Sequence, residues 1–100
     1  MIDFAKELKV AISTGKVVVG SRRTLKLLYH GKPKLVILAG NCPDHIKKEL
    51  TKAADAAGIP VYTYPGSSWD LGALCGKPFV VAALSILDPG ESEILKLAEG

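Results

Sequence analysis

Residues Lys16 to Asn41 read KVVVGSRRTLKLLYHGKPKLVILAGN, and the architecture of the chain is clearest in this stretch. The β-branched run Val17 to Val19 predicts a short strand. Gly20-Ser21 then opens a segment with apolar residues at helical spacing, which Gly31 ends. Leu35 to Ala39 is an unbroken apolar run, typical of a strand that is buried on both faces. A strand, a helix and a second strand in this order indicate a layered α/β fold.

The same alternation continues on both sides of this stretch. The further helices are predicted at Asp3–Thr14, Pro43–Ala57, Ser67–Leu74 and Glu91–Leu97, and the further strands at Val61–Tyr64 and Val80–Leu87. Ser67 and Asp70 have the spacing of a capping box at a helix start. Helices and strands that alternate at this pace predict a three-layer α/β/α sandwich with a central four-stranded sheet. We expect one domain over residues 1–100.

Composition excludes several classes of protein. The chain has 100 residues, of which 48% are hydrophobic and 23% charged, so it is neither a disordered tail nor a coiled coil. No apolar run reaches the ~18 residues of a membrane-spanning helix. The first residues lack the basic and apolar blocks of a signal peptide. Two cysteines are too few for a secreted disulfide scaffold. These features predict a soluble cytoplasmic domain with no membrane partner. We also expect the free chain to be a monomer.

The basic residues are concentrated in one part of the chain. Six of them and no acidic residue lie between Lys16 and Lys34, although the formal net charge is only +3. This distribution predicts one electropositive face, which would suit a polyanion such as nucleic acid. The alternative is an ordinary solvated face.

The residues do not form a catalytic constellation. His30 and His45 lie on predicted helices and are expected to be exposed polar residues. Cys42 and His45 have half the spacing of a zinc site, without a second pair. Residues 72–78 resemble a phosphate-binding loop but have the wrong glycine spacing and a proline where the hydroxyl should be. We therefore expect no catalytic activity, no metal and no cofactor.

The two thiols leave two alternatives open. Cys42 and Cys75 lie in or beside neighbouring predicted loops, so they form either a disulfide or two ordinary thiols. The thiols also leave open a different function, a small α/β enzyme that uses one of them as a nucleophile. Such an enzyme would require a reactive thiol of low pKa.

The junction between the first strand and the second helix has the chemistry of an anion site. Free N–H groups at a helix start and the positive end of its dipole attract phosphate. Gly20 allows a close approach by a ligand, Thr24 can donate a further hydrogen bond, and Ser21 can instead act as a simple helix cap. The basic side chains that follow are Arg22, Arg23 and Lys26.

Two further predicted loops have groups that can read or stack on a base. Asn41 is the only Asn in a chain without Gln, and its amide can donate and accept at a base edge, or else form a turn or cap. Phe79 follows Lys77 in a loop before the last strand, where it can stack on an unpaired base or belong to the core. Trp69, Tyr62 and Tyr64 are expected to pack.

Four motifs in order resemble the L30e family of ribosomal proteins, within the L7Ae-like superfamily of kink-turn RNA binders. The motifs are Gly20-x-x-x-Thr24-x-Lys26, Gly40-Asn41-Cys42-Pro43 after a strand, Leu71-Gly72-x-x-x-Gly76-Lys77-Pro78-Phe79, and Asp88-Pro89-Gly90-Glu91-Ser92-x-Ile94-Leu95. The resemblance extends from about Asp3 to Leu97. The final motif and the short length favour the L30e branch.

The resemblance implies a structural role in the cytoplasmic ribosome, with large-subunit rRNA and neighbouring ribosomal proteins as partners. It places Gly20, Arg22, Thr24 and Lys26 at the backbone of a bent internal loop. It places Asn41 near a guanine of the paired G·A steps, and Phe79 and Val81 against the unstacked nucleotide. A guide-RNA particle component with the same kink-turn target is the alternative. The residues predicted to bind RNA are Gly20, Ser21, Arg22, Arg23, Thr24, Lys26, Asn41, Lys77, Phe79 and Val81.

Overall fold

Helices and strands alternate along residues 3–99, the part of the chain that the computed structural model describes. In chain order they are α1 (Phe4–Thr14), β1 (Lys16–Val19), α2 (Ser21–Tyr29), β2 (Leu35–Leu38), α3 (Asp44–Ala57), β3 (Val61–Thr63), α4 (Ser68–Leu74), β4 (Ala83–Asp88) and a closing 3₁₀ helix (Ile94–Glu99). Met1, Ile2 and Gly100, which the single-domain prediction includes, lie outside the described residues.

The four strands form one mixed sheet in the order β1-β4-β2-β3. Strands β2 and β3 are parallel, and β4 is antiparallel to both β1 and β2. Leu38, at the end of β2, is paired with Thr63 at the end of β3 and with Ala83 at the start of β4. The ends of β1, β2 and β3 therefore meet the start of β4 at one end of the sheet, which we call the loop end.

Helices cover both faces of the sheet, so the predicted three-layer α/β/α sandwich is confirmed. Leu8 of α1, Leu71 of α4 and Ile94 of the 3₁₀ helix pack on one face, against the side chains of Leu35 and Ile37. Helices α2 and α3 cover the other face. The contacts there come from Leu28, Leu50 and Ala54, which pack on Val36 and Leu38. Alternate residues of β2 point to opposite layers, which explains its unbroken apolar run.

Local signals at helix ends are confirmed. The Ser67 hydroxyl accepts a hydrogen bond from the Asp70 N–H, and the Asp70 carboxylate accepts one from the Ser67 N–H, each at 3.2 Å, so the capping box is present. Helix α3 ends at Gly58, which has the left-handed conformation that favours glycine (φ +71°). These helix boundaries depend on residues only a few positions apart, and local sequence is sufficient to predict them.

Two elements begin three residues later than predicted, whereas the other starts and ends differ by at most two residues. The last strand begins at Ala83 and not at Val80, because the Val81 N–H donates to the carbonyl of Ser68 (3.0 Å) instead of to a strand. The closing helix begins at Ile94, later than predicted, and is a 3₁₀ helix. The later start of β4 arises where a tertiary contact competes with a local preference.

Candidate nucleic-acid interface

The start of α2 presents free backbone donors at the loop end. Gly20 is the N-cap residue, with φ +123°, so the alternative in which Ser21 acts as a simple helix cap is wrong. The N–H of Gly20 donates to the carbonyl of Ala83 (3.0 Å), and this bond joins the helix start to β4. Gly20 has no side chain to accept from the first N–H groups of α2, and these groups have no acceptor within the helix. They remain available to an anion.

The basic side chains of α2 are exposed and carry their charge into solvent. Arg22, Arg23 and Lys26 are all exposed. Among the side chains described, the only ion pair joins Lys96 to Glu93, so no carboxylate neutralises these three cations. Arg22 and Arg23 lie in the first turn of α2 and add to the positive end of the helix dipole, whereas Lys26 lies in its last turn. The start of α2 therefore has the electrostatics of a phosphate site.

The predicted single electropositive face is only partly correct. Lys16 begins β1 and is paired with Asp88 at the end of β4, so it lies at the end of the sheet opposite the loop end. Lys32 and Lys34 lie in the connection that enters β2, at that same opposite end. Half of the basic segment is therefore remote from the predicted site, because β1 and β2 run parallel with α2 between them.

Asn41 lies directly beyond β2 and is exposed. Its Oδ1 atom accepts a hydrogen bond of 2.7 Å from the backbone N–H of Ser68, the first residue of α4. This bond orients the amide, since only the oxygen can accept from an N–H. None of the described groups accepts a hydrogen bond from its Nδ2, so the amino group remains available as a donor. Asn41 can therefore cap α4 through Oδ1 and still contact a base through Nδ2, so both predicted roles are compatible with the structure.

The loop between α4 and β4 passes close to α4. A Cβ atom on Gly72 would lie 2.2 Å from the carbonyl oxygen of Phe79, so glycine is required for this approach. Phe79 and Val80 are 52% and 49% exposed, whereas Val81 is 2% exposed. The direct contact predicted for Val81 therefore does not match its placement: its neighbour Val80 faces solvent, and Val81 packs beneath.

Thr24 is a second predicted contact residue that lies beneath the surface. It is fully buried on α2, and within the described structure its hydroxyl has no hydrogen-bond partner. This burial argues against a direct hydrogen bond from Thr24 to RNA, because no part of the side chain reaches the surface. Thr24 and Val81 can support the surface, whereas the other predicted residues are at least partly accessible.

A pocket of about 210 Å³ joins two of the loops. Arg23 of α2 and Lys77 of the α4–β4 loop both line it, together with Cys75 and strand β1. Because two cationic side chains from different elements line this pocket, it is a second candidate binding site for an anionic group. The three loops that sequence reasoning singled out thus lie at the same end of the sheet.

The thiols are free and buried, so they are ordinary cysteines. Burial raises the pKa of the Cys42 thiol, and burial raises the pKa of Cys75 to about 11. Both directions are opposite to the lowered pKa that a nucleophilic cysteine requires. Among the side chains that the structure describes, no three from His, Cys, Asp and Glu group as metal ligands, and none of the described helices could span a membrane. His30 and His45 are exposed, as predicted.

Sequence reasoning missed the exposure of Trp69. This residue was expected to pack, but it is 67% exposed on the first turn of α4. Tyr62 and Tyr64 do pack, with their ring centroids 5.4 and 4.8 Å from that of Phe4. The sequence does contain one signal for this exposure. The capping box places Trp69 at the second position of the helix, and Leu71, two residues later, is the side chain that faces the core.

Comparison with known proteins agrees with this structure. Residues 3–96 match the model of the Ribosomal protein L7Ae/L30e/S12e/Gadd45 family. A relative from Pyrobaculum calidifontis, named large ribosomal subunit protein eL30, is 52% identical over 99% of this chain and 98% of its own. A relative of the same name from Methanopyrus kandleri is 48% identical over 95% of this chain and 87% of its own.

A solved structure shares the whole fold. It is a protein of unknown function from Bacillus halodurans, with a TM-score of 0.84, 26% identity and full coverage of both chains. The curated relatives are named as ribosomal proteins and not as enzymes, which confirms the prediction of a non-catalytic chain. The resemblance to L30e is likewise confirmed: the chain belongs to the Ribosomal protein L7Ae/L30e/S12e/Gadd45 family.

Proposed function

We propose that the chain is a structural component of the large ribosomal subunit and binds a kink-turn-like bent internal loop of large-subunit rRNA. The name of its relatives supports the ribosomal role. One observation carries the RNA-binding part: the parallel direction of β1 and β2 and the reversal at β4 bring three loops with complementary chemistry to one end of the sheet. Large-subunit rRNA and adjacent ribosomal proteins in the cytoplasm are then its partners, and the free chain is a monomer.

Phosphate contacts supply most of the affinity. The N–H groups at the start of α2 bind one phosphate, and Arg22, Arg23 and Lys26 neutralise others near the bend. Lys77 adds charge to the pocket that it lines together with Arg23. Gly20 allows the backbone of the RNA to come close, because it has no Cβ and no other atom lies within 4 Å of the position that a Cβ would take. Ser21, partly exposed at the first helical position, adds a hydroxyl.

Base contacts supply the selectivity. The Ser68 N–H holds Oδ1 of Asn41, so the Nδ2 donor faces outward. A donor is complementary to the O6 and N7 acceptors of guanine. Phe79 is half exposed in the loop before β4, at the same end of the sheet, and provides a ring for an unstacked nucleotide. Thr24 and Val81 support this surface from below.

Binding of two matched RNAs tests the proposal. One is a kink-turn hairpin, and the other is a fully paired duplex of equal length and charge. We expect the hairpin to bind at least about tenfold more tightly at 0.15 M salt, because only unpaired bases can reach Asn41 and Phe79. Equal affinities would contradict it. Competition between an rRNA kink-turn and a box C/D kink-turn then separates the ribosomal target from a guide-RNA target, and preference for box C/D RNA would overturn the ribosomal assignment.

A further inference from the structure

We infer that Trp69 is a second stacking residue of this RNA-binding surface, placed to receive an unpaired base next to the one that Phe79 contacts. The inference rests on the proposed function. It concerns a residue that neither the sequence motifs nor the resemblance assigned to RNA, and the class of ligand is a single-stranded base of the bent loop.

The first observation is the exposure of an apolar aromatic side chain. Trp69 is 67% exposed, whereas tryptophan side chains in folded proteins are mostly buried on average. Among the residues described, the aromatic ring pairs are those of Phe4 with Tyr62 and with Tyr64, so the Trp69 ring is not stacked on another aromatic ring of the chain. Of the five large apolar side chains that are exposed in the described part of the chain, three belong to α4 and the loop that crosses it: Trp69, Phe79 and Val80. Such a concentration marks an interaction surface.

The second observation is the position of Trp69 relative to the loops. It directly follows Ser68, whose N–H donates to Asn41 and whose carbonyl accepts from the Val81 N–H at 3.0 Å. Residues three apart on a helix share a side, so Trp69 lies on the same flank of α4 as Gly72. Gly72 is the residue against which the Phe79 backbone packs. Trp69 and Phe79 therefore border the same strip of surface.

Charge favours RNA over a protein as the occupant. The loop next to this strip contains Lys77, and α2 adds Arg22 and Arg23, all without an ion-pair partner among the described side chains. An aromatic ring beside cations at a bent backbone is the combination that binds single-stranded nucleic acid. Ser67 and Asn41 already cap the start of this helix, so the Trp69 ring is not needed for capping.

Intrinsic fluorescence tests the inference directly, because Trp69 is the only tryptophan. The intact chain is titrated with the kink-turn hairpin and with the matched duplex, while a filter assay measures binding independently. We expect the hairpin to quench Trp69 emission with the same midpoint as binding. Trp69→Ala should weaken hairpin binding about 5- to 100-fold, within the effect of losing one stacked base. Trp69→Phe should restore most of the affinity.

A base-deletion arm separates stacking from a structural effect. When the unpaired nucleotides of the hairpin are abasic, wild type and Trp69→Ala should bind equally, because the ring has lost its partner. Tyr29→Ala serves as the matched control, since Tyr29 is 71% exposed at the far end of α2. It should leave affinity unchanged.

The outcomes distinguish the inference from the proposed function. Tight, selective hairpin binding with unchanged Trp69 emission and an unchanged affinity of Trp69→Ala would overturn the inference alone. Emission that changes only when the chain enters assembled subunits would assign Trp69 to a protein neighbour and would also overturn it. Absence of selective hairpin binding by wild type would overturn the proposed function, and the inference with it.

Discussion

The side-chain oxygen of Asn41 accepts a 2.7 Å hydrogen bond from the backbone N–H of Ser68, 27 residues later in the chain. This bond links the end of β2 to the start of α4 and orients the amide of the chain's only asparagine. One side chain therefore serves both the fold and the proposed site, and its two atoms can be tested separately.

Asn41→Asp keeps the acceptor oxygen and removes the Nδ2 donor. We expect the free energy of unfolding to stay within about 0.5 kcal/mol of wild type, since an anion is favourable at a helix start. Hairpin affinity should fall at least about tenfold, because the guanine contact is lost and a negative charge faces the RNA. Urea unfolding and filter binding measure the two quantities. Asn41→Ala, the control, should lose about 1 kcal/mol of stability as well. Undiminished RNA binding by Asn41→Asp would contradict the role of Nδ2.

Phe79→Ala should weaken binding to the bent RNA by about 1–3 kcal/mol, because one stacking surface is removed. Its side chain is half exposed, so the melting temperature should change little. A gel-shift titration measures the affinity, with Tyr29→Ala as an exposed aromatic away from the loop end. An unchanged midpoint for Phe79→Ala would argue against stacking.

Lys26→Ala should reduce the slope of log binding constant against log salt by about one unit, since one phosphate contact releases its counterion. The loss should be similar for all RNAs, because a phosphate contact does not read sequence. Lys9→Ala removes an equally exposed lysine from α1, on the opposite face of the sheet, and should leave the slope unchanged. A loss confined to one RNA sequence would instead indicate base recognition by Lys26.

Gly72→Ala tests the packing beneath the Phe79 loop. Helix propensity alone predicts a gain of roughly 1 kcal/mol. The Phe79 carbonyl lies 2.2 Å from the position of the new Cβ, so we expect a loss of about 1–3 kcal/mol in the free energy of unfolding. Hairpin affinity should fall too, because the loop moves. Denaturant unfolding measures whether the free energy of unfolding rises or falls. Ala73→Gly, on the exposed side of α4, serves as the control because it measures the effect of helix propensity without the close contact. A more stable Gly72→Ala variant would refute the close approach.

Cys75 should make stability fall at alkaline pH. Burial raises its pKa from the ordinary 9.0 to about 11, so the folded chain keeps its proton where the unfolded chain loses it. The associated stability is complete below pH 9 and is lost as pH rises toward 11, on the order of 1–3 kcal/mol. Urea unfolding at several pH values measures the slope, which should be shallower in Cys75→Ala. Parallel pH profiles for the two proteins would contradict the shift.

Sequence alone was sufficient for the order of elements, the burial of β2 and the cap at Ser67, because each depends on neighbours a few residues away or on an unbroken apolar run. It also indicated Asn41 and the start of α2 as candidate sites, since their chemistry is unusual in this chain. The packing of Tyr62 and Tyr64 followed from the same reasoning.

Tertiary structure alone decided which of these side chains can meet a ligand. Thr24 and Val81 are buried, and Trp69 is exposed, because their surroundings come from segments distant in the chain: β4 docks on Gly20, and the Phe79 loop crosses α4 at Ser68 and Gly72. The direction of the strands likewise separated Lys16 and Lys34 from Arg22. Periodicity describes one element at a time, whereas exposure at the end of an element depends on what packs there from elsewhere.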